Sequence, residues 1–136
     1  MSSKNLMKIQ SNHNIVHNCQ YHVVWCVKYR KKLLTGNIEA RLKQIILEVA
    51  TEIQVEIVEM ETDQDHIHLL IHCDPQFGIH RVVKRMKGRS SKLLREEFNI
   101  LRTRLPSLWT NSYFVSTVGG APLAVIKQYI KDQQRI

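Results

Sequence analysis

Two places in this 136-residue chain hold side chains that could do chemistry. The stretch HIHLLIH sets His66, His68 and His72 among four apolar residues, and near the end Tyr129 and Gln133 stand four positions apart. An H-x-H pair on a strand sends both imidazoles to one side, with Cα atoms about 6.6 Å apart from the strand rise, close enough to hold one metal ion. A third ligand has to come from elsewhere. The four-residue spacing puts the Tyr129 hydroxyl, a possible nucleophile, one helical turn from the Gln133 amide oxygen. Each pattern also has a plain structural reading: imidazoles lining a wet sheet face, and Tyr129 joining Ile126 and Ile130 in an apolar stripe that docks a helix. On spacing alone both readings stand. His72 repeats the phase of the pair one strand step beyond His68 and is read as a supporting residue or one with no special role.

The elements that must hold these residues follow from periodicity. CQYHVVWCVKY, from Cys19, is rich in aromatic and β-branched residues and reads as a central strand. Leu42, Ile45, Ile46 and Val49 recur at helical spacing and predict a helix from Ile38 to about Glu52. VEIVEMET (55–62) alternates as a strand, and Asp63-Gln-Asp65 turns it into the His strand as a hairpin closed by Pro75 and Gly78. From Ile79 to Phe98 the apolar positions Val82, Val83, Met86, Leu93 and Leu94 predict a helix, with an interruption of the stripe near Gly88. Trp109 to Val118 reads as a fourth strand, broken by Gly119-Gly120, and Pro122 opens a terminal helix to about Gln134.

The order βαββαβα gives the fold class: α+β, a ferredoxin-like antiparallel sheet with helices on one face and a C-terminal helix carrying the tyrosine, in one domain spanning residues 1–136. If the helices cover the face of Ile67, Leu69 and Ile71, the His face is left for solvent or a partner.

Composition narrows the function class. The chain is 43% apolar and 24% charged, ordinary for a globular protein, and no stretch approaches the roughly 20 apolar residues of a membrane span. The N-terminal residues have no signal-peptide core, so a cytoplasmic location is expected. Three cysteines with no CxxC pair argue against both a disulfide framework and a zinc knuckle, and are read as buried thiols. Lys and Arg number 20 against 12 Asp and Glu, a net charge of +8 that favours a polyanion such as nucleic acid. Arg30, Lys31 and Lys32, with Lys84, Arg85, Lys87, Arg89, Lys92 and Arg95 on the second helix, are the candidate backbone contacts, some of them simply a solvated helix face.

ETDQDHIHLLIH, the helix containing KGRSSKLL, and YFVSTVGGAPLAVIKQYIKDQ together resemble the TnpA-type single-tyrosine HUH transposases of small bacterial insertion sequences, over about Tyr21 to Gln133. The resemblance implies that His66, His68 and Gln133 hold a divalent metal, Mg or Mn, and that Tyr129 attacks a phosphodiester of single-stranded DNA carrying hairpins. It implies a 5′-phosphotyrosine intermediate, rejoining by a 3′-OH without ATP, and a homodimer whose terminal helices are exchanged, with Gly119-Gly120 as hinge. Repeat-associated tyrosine transposases share the chemistry and are the neighbouring alternative. Two readings of other kinds are weighed beside it. A noncatalytic single-strand-binding module would use the open sheet face but leaves the four motif residues unexplained. A zinc hydrolase lacks a Glu base beside the His pair.

Overall fold

The protein is described from a computed structural model, covering residues 10–12, 15–17, 19–118 and 123–135. Gly119, Gly120 and Pro122, expected to break the fourth strand and open the terminal helix, lie outside the described residues. A short hairpin of β1 (Gln10–Asn12) and β2 (Ile15–His17) precedes the main sheet. Its first strand, QSN, has no β-branched or aromatic residue, and the reading of the sequence missed it. The main sheet is built from β3 (Gln20–Cys26), β4 (Glu56–Thr62), β5 (His66–His72) and β6 (Phe114–Thr117), in the spatial order β4-β5-β3-β6 and antiparallel throughout. α1 (Gly36–Glu52) and α2 (Ile79–Glu97) supply the split-βαβ crossovers of a ferredoxin-like sheet, as expected. A short α3 (Asn99–Thr103) and the terminal α4 (Leu123–Asp132) complete the helices, α4 continuing into a 3₁₀ turn, Gln133–Arg135.

The core lies between one sheet face and α1 with α2. Val23 and Trp25 of β3 and Ile67, Leu69 and Ile71 of β5 are buried against Leu42, Ile45, Ile46, Val82 and Met86. On β4 a bulge at Val58 shifts the register, so that Ile57 pairs with Ile71 and Met60 with Leu69. One extra residue inverts which side chains face the core beyond it. Both apolar side chains therefore pack inward although three positions separate them. α2 runs unbroken through Gly88, where a Cβ would meet open space, and the buried Ser90 fills the gap in its apolar stripe. Its start is set by Gly78 at φ 92°, in the left-handed region that favours glycine.

Two strand expectations are too long. The first strand ends at Cys26, with Val27 a lone bridge to Trp109, because Tyr29 and Arg30 take φ of 58° and 52° in a 3₁₀ turn, Lys28–Arg30. The fourth begins at Phe114 and not at Trp109. The Trp109 indole donates to Ser90 Oγ at 3.0 Å and stands edge-on to Trp25. Beyond it the chain loops out, because the Lys87 ammonium donates to the Thr110 and Ser112 carbonyls at 2.6 and 3.1 Å.

The second sheet face is not open. α4 lies over β3, where Val24 and Cys26 are fully buried, and Ile126 is buried in turn. α4 thus covers part of the face expected to be left for solvent or a partner, while His66 and His68 stay partly exposed beside it. Among the described residues no helix is long and apolar enough to cross a membrane.

Candidate active site

The side chains of the His face come from alternate positions of three strands. Cys26 pairs with His66, Val24 with His68 and with Phe114, and His22 with Leu70 and Ser116. His66 and His68 thus share one face on β5, as the period-two reading requires. His72 is 3% exposed and its Nδ1 lies 3.3 Å from a Glu56 carboxylate oxygen, a structural pairing away from the cleft.

His66 is fixed from behind. Its Nδ1 lies 2.8 Å from Asp65 Oδ1, and Arg30 donates to Oδ2 of the same carboxyl at 3.0 Å. Burial works against the charged carboxylate. The hydrogen bonds from His66 and Arg30, with the Arg30 charge, outweigh it and hold Asp65 below the usual carboxylate range. An ionised carboxylate only accepts, so His66 Nδ1 carries the proton and Nε2 keeps its lone pair. Metal-binding histidines are commonly oriented by such a carboxylate. The left-handed backbone at Tyr29 and Arg30 costs about 1–2 kcal/mol per residue and is the local strain that brings the guanidinium to Asp65.

His68 is pushed down from its ordinary value by burial first and by His22 second, whose Nδ1 lies 3.2 Å from His68 Nε2. Both effects favour the neutral imidazole, the form that binds metal. While the His22 contact stands, Nδ1 is the free nitrogen of His68.

On α4 the helical pitch divides the side chains. At about 100° per residue, Ile126 and Ile130 face the sheet, Tyr129 and Gln133 fall on one flank, and Lys127 and Lys131 on the other. The Tyr129 and Gln133 flank meets the loop before β6. Ser112 Oγ lies 3.0 Å from the Tyr129 hydroxyl and donates to Gln133 Oε1 at 2.9 Å. Its one proton is thus committed to the amide oxygen, so the Tyr129 hydroxyl donates to Ser112 Oγ. Gln133 is 4% exposed. Burial raises the Tyr129 pKa. The Tyr129 ring also leans on Phe114.

The other flank opens a cleft of about 430 Å³ toward β5. Its walls carry His66, His68 and Arg30 from the sheet side and Lys127 and Lys131 from α4, over a floor of Ile126 and Ile130. Of the motif residues, then, the structure brings the His pair together in the cleft, and Tyr129 with Gln133 on Ser112, on the two sides of one helix.

The donors fit a divalent ion in kind. In the neutral imidazole form His66 Nε2 and a His68 nitrogen offer lone pairs, and Gln133 Oε1 has a second lone pair beyond the Ser112 bond. No group of three His, Cys, Asp or Glu able to hold a metal occurs among the described residues.

The basic residues divide differently from their order in sequence. α2 packs on the face opposite the cleft, and much of its charge is engaged with the protein itself. Arg89 makes a two-point pair with Glu52, Lys92 lies 3.7 Å from Glu96, and the Lys87 ammonium is spent on carbonyls. Lys31, Lys32, Lys84 and Arg85 are exposed. Lys127, Lys131, His22 and Ser112 were not singled out from sequence. The available signal for the lysines was their i, i+4 spacing about Tyr129. Ser112 and His22 carry no local signal, since each is placed by its tertiary partner.

Residues 15–133 match the family model described as transposase IS200 like. The chain is 34% identical over 129 residues to the ISDra2 transposase TnpA of Deinococcus radiodurans, covering 93% of this chain and 92% of that one. It is also 34% identical over 118 residues to the transposase for insertion sequence element IS200 of Salmonella typhimurium, covering 85% and 77%. A crystal structure from Deinococcus radiodurans R1, described as a transposase, superposes with a TM-score of 0.84 at 31% identity, over 93% of this chain and 99% of that one. A REP-associated tyrosine transposase bound to a REP hairpin gives a TM-score of 0.56 at 11% identity, over 89% and 67%, a likeness of fold.

Proposed function

Because this chain belongs to the IS200-like transposase family and is a transposase, we propose that it cuts and rejoins single-stranded DNA at hairpin-bearing element ends with Tyr129 as nucleophile. The observation that carries this reading is the arrangement around α4: two same-face imidazoles of β5 in a cationic cleft on one flank, and a half-buried tyrosine hydroxyl on the other.

In the proposed reaction the Tyr129 oxygen bonds to the phosphorus of a phosphodiester and the bond to the 3′ oxygen breaks, leaving a 5′-phosphotyrosine and a 3′-OH that takes up a proton. Ser112 orients the phenol through its hydrogen bond. Burial keeps Tyr129 protonated at neutral pH, so its proton must leave as the new bond forms. His66, held by Asp65, and His68 would bind a divalent cation, Mg or Mn; Gln133, proposed as the third ligand, is held by Ser112 on the other flank of α4 in this structure and would have to leave it to reach the pair. That ion would polarise the phosphate oxygens and position them. A 3′-OH of another strand attacks the phosphotyrosine in reverse, which rejoins DNA without an external energy source.

The proposed assembly is a homodimer with exchanged α4 helices. In an exchange the helix of the second copy lies over this sheet in place of the chain's own.

The test uses single-stranded DNA spanning an element end, labelled at its 3′ end, with Mg or Mn. The wild type should yield a labelled protein band on a denaturing gel, lost in Tyr129→Phe and on adding EDTA. An undiminished band in Tyr129→Phe would refute the assignment of the nucleophile.

A further inference from the structure

The cleft beside the His pair carries three cationic side chains and no carboxylate on its walls. Arg30 is anchored there by Asp65, whose charge it shares with His66. Lys127 and Lys131 are different. Both are exposed, both lie on the α4 flank opposite Tyr129, and neither pairs with an acidic side chain among the described residues. The nearby Asp132 carboxylate is taken up by the Gln128 amide at 2.7 Å. Four residues apart, the two ammonium groups stand one helical turn apart along the cleft. Below them Ile126 and Ile130 give an apolar floor. Unpaired cations above an apolar surface suit a chain of alternating phosphates and bases. On α2, by contrast, Lys87 and Arg89 are bonded within the protein, and Lys92 lies 3.7 Å from Glu96.

We propose that Lys127 and Lys131 form a phosphate-binding subsite that grips the single strand on the His side of α4. The assignment rests on the function proposed above and adds to it where the strand runs. In an exchanged dimer the same two lysines would line the cleft of the sheet that α4 covers.

Counterion release makes the subsite measurable. Each phosphate contact to a single strand contributes about 0.7 to the slope of log affinity against log salt. The probe is a fluorescent single-stranded oligonucleotide spanning the element end, titrated between 50 and 200 mM salt, with full-length Tyr129→Phe as parent so that nothing is cut. Adding Lys127→Gln and Lys131→Gln should lower the slope by about 1.4, so that affinity falls about sevenfold less than the parent's across that fourfold salt range. Lys127→Arg with Lys131→Arg should restore the parental slope. Lys43→Gln, which removes one charge from α1, should leave it unchanged. A parental slope in the double glutamine variant, or an equal fall in the Lys43 control, overturns the subsite while leaving the functional reading intact. A parent that binds no single strand overturns both.

Discussion

Ser112→Ala removes one oxygen that serves two partners. Gln133 Oε1, in a side chain 4% exposed, loses its donor, and the Tyr129 hydroxyl loses its acceptor. Leaving a buried acceptor unsatisfied costs about 1–3 kcal/mol. The tyrosine loses less, because it is only half-buried. The seat of α4 should therefore weaken by about 2 kcal/mol. The β3 and β5 core stays as it was, since Ser112 is exposed and lies outside it. Where α4 opens locally before the sheet does, 2 kcal/mol raises its opening constant about thirtyfold. Hydrogen exchange followed by mass spectrometry should show α4 amides exchanging about thirty times faster in Ser112→Ala, with amides of β5 unchanged. Ser112→Thr keeps the hydroxyl and should restore protection. If α4 amides exchange at the wild-type rate in Ser112→Ala, the contact does not hold the helix and the reasoning fails.

Lys87 predicts a pH dependence. Burial pushes its ammonium down to about 8 in the folded chain from an ordinary value of 10.5, with Cys26 opposing the shift. Between those values the unfolded chain binds more protons, so the stability that Lys87 contributes rises with pH from about 8 to 10.5 and is lost as pH falls back through 8. After screening of a half-buried group the expected change is about 1–2 kcal/mol in the difference between wild type and Lys87→Met, read from urea unfolding at several pH values. A flat difference refutes the assignment. For the exchanged assembly, mixed dimers of Tyr129→Phe with a His66→Ala, His68→Ala chain should form the DNA adduct on the His-deficient chain alone. Verified mixed dimers with no adduct would mean that each site is built within one chain.

The sequence by itself determined what depends on local period. Strict alternation over 66–72 assigned His66 and His68 to one face and Ile67, Leu69 and Ile71 to the core, because the pleat repeats every two residues whatever surrounds it. The helical spacing of Leu42, Ile45, Ile46 and Val49 did the same for α1, and the element order was enough for the ferredoxin-like sheet. Strand ends were not legible. A β-branched run does not reveal that Tyr29 and Arg30 turn left-handed, or that a lysine from α2 bends the chain at Thr110 to Ser112.

Only the tertiary structure decided which cations are free. A lysine looks the same in sequence whether it meets solvent or a pair of carbonyls. The conspicuous run on α2 lies behind the sheet, whereas Lys127 and Lys131 line the cleft. The pairing of Tyr129 with Ser112 was equally hidden. Seventeen residues separate them, and the contact exists because α4 crosses the sheet with its tyrosine flank toward β6. Helical pitch sets which residues share a flank, but the crossing direction sets what each flank meets, and that depends on contacts remote in sequence.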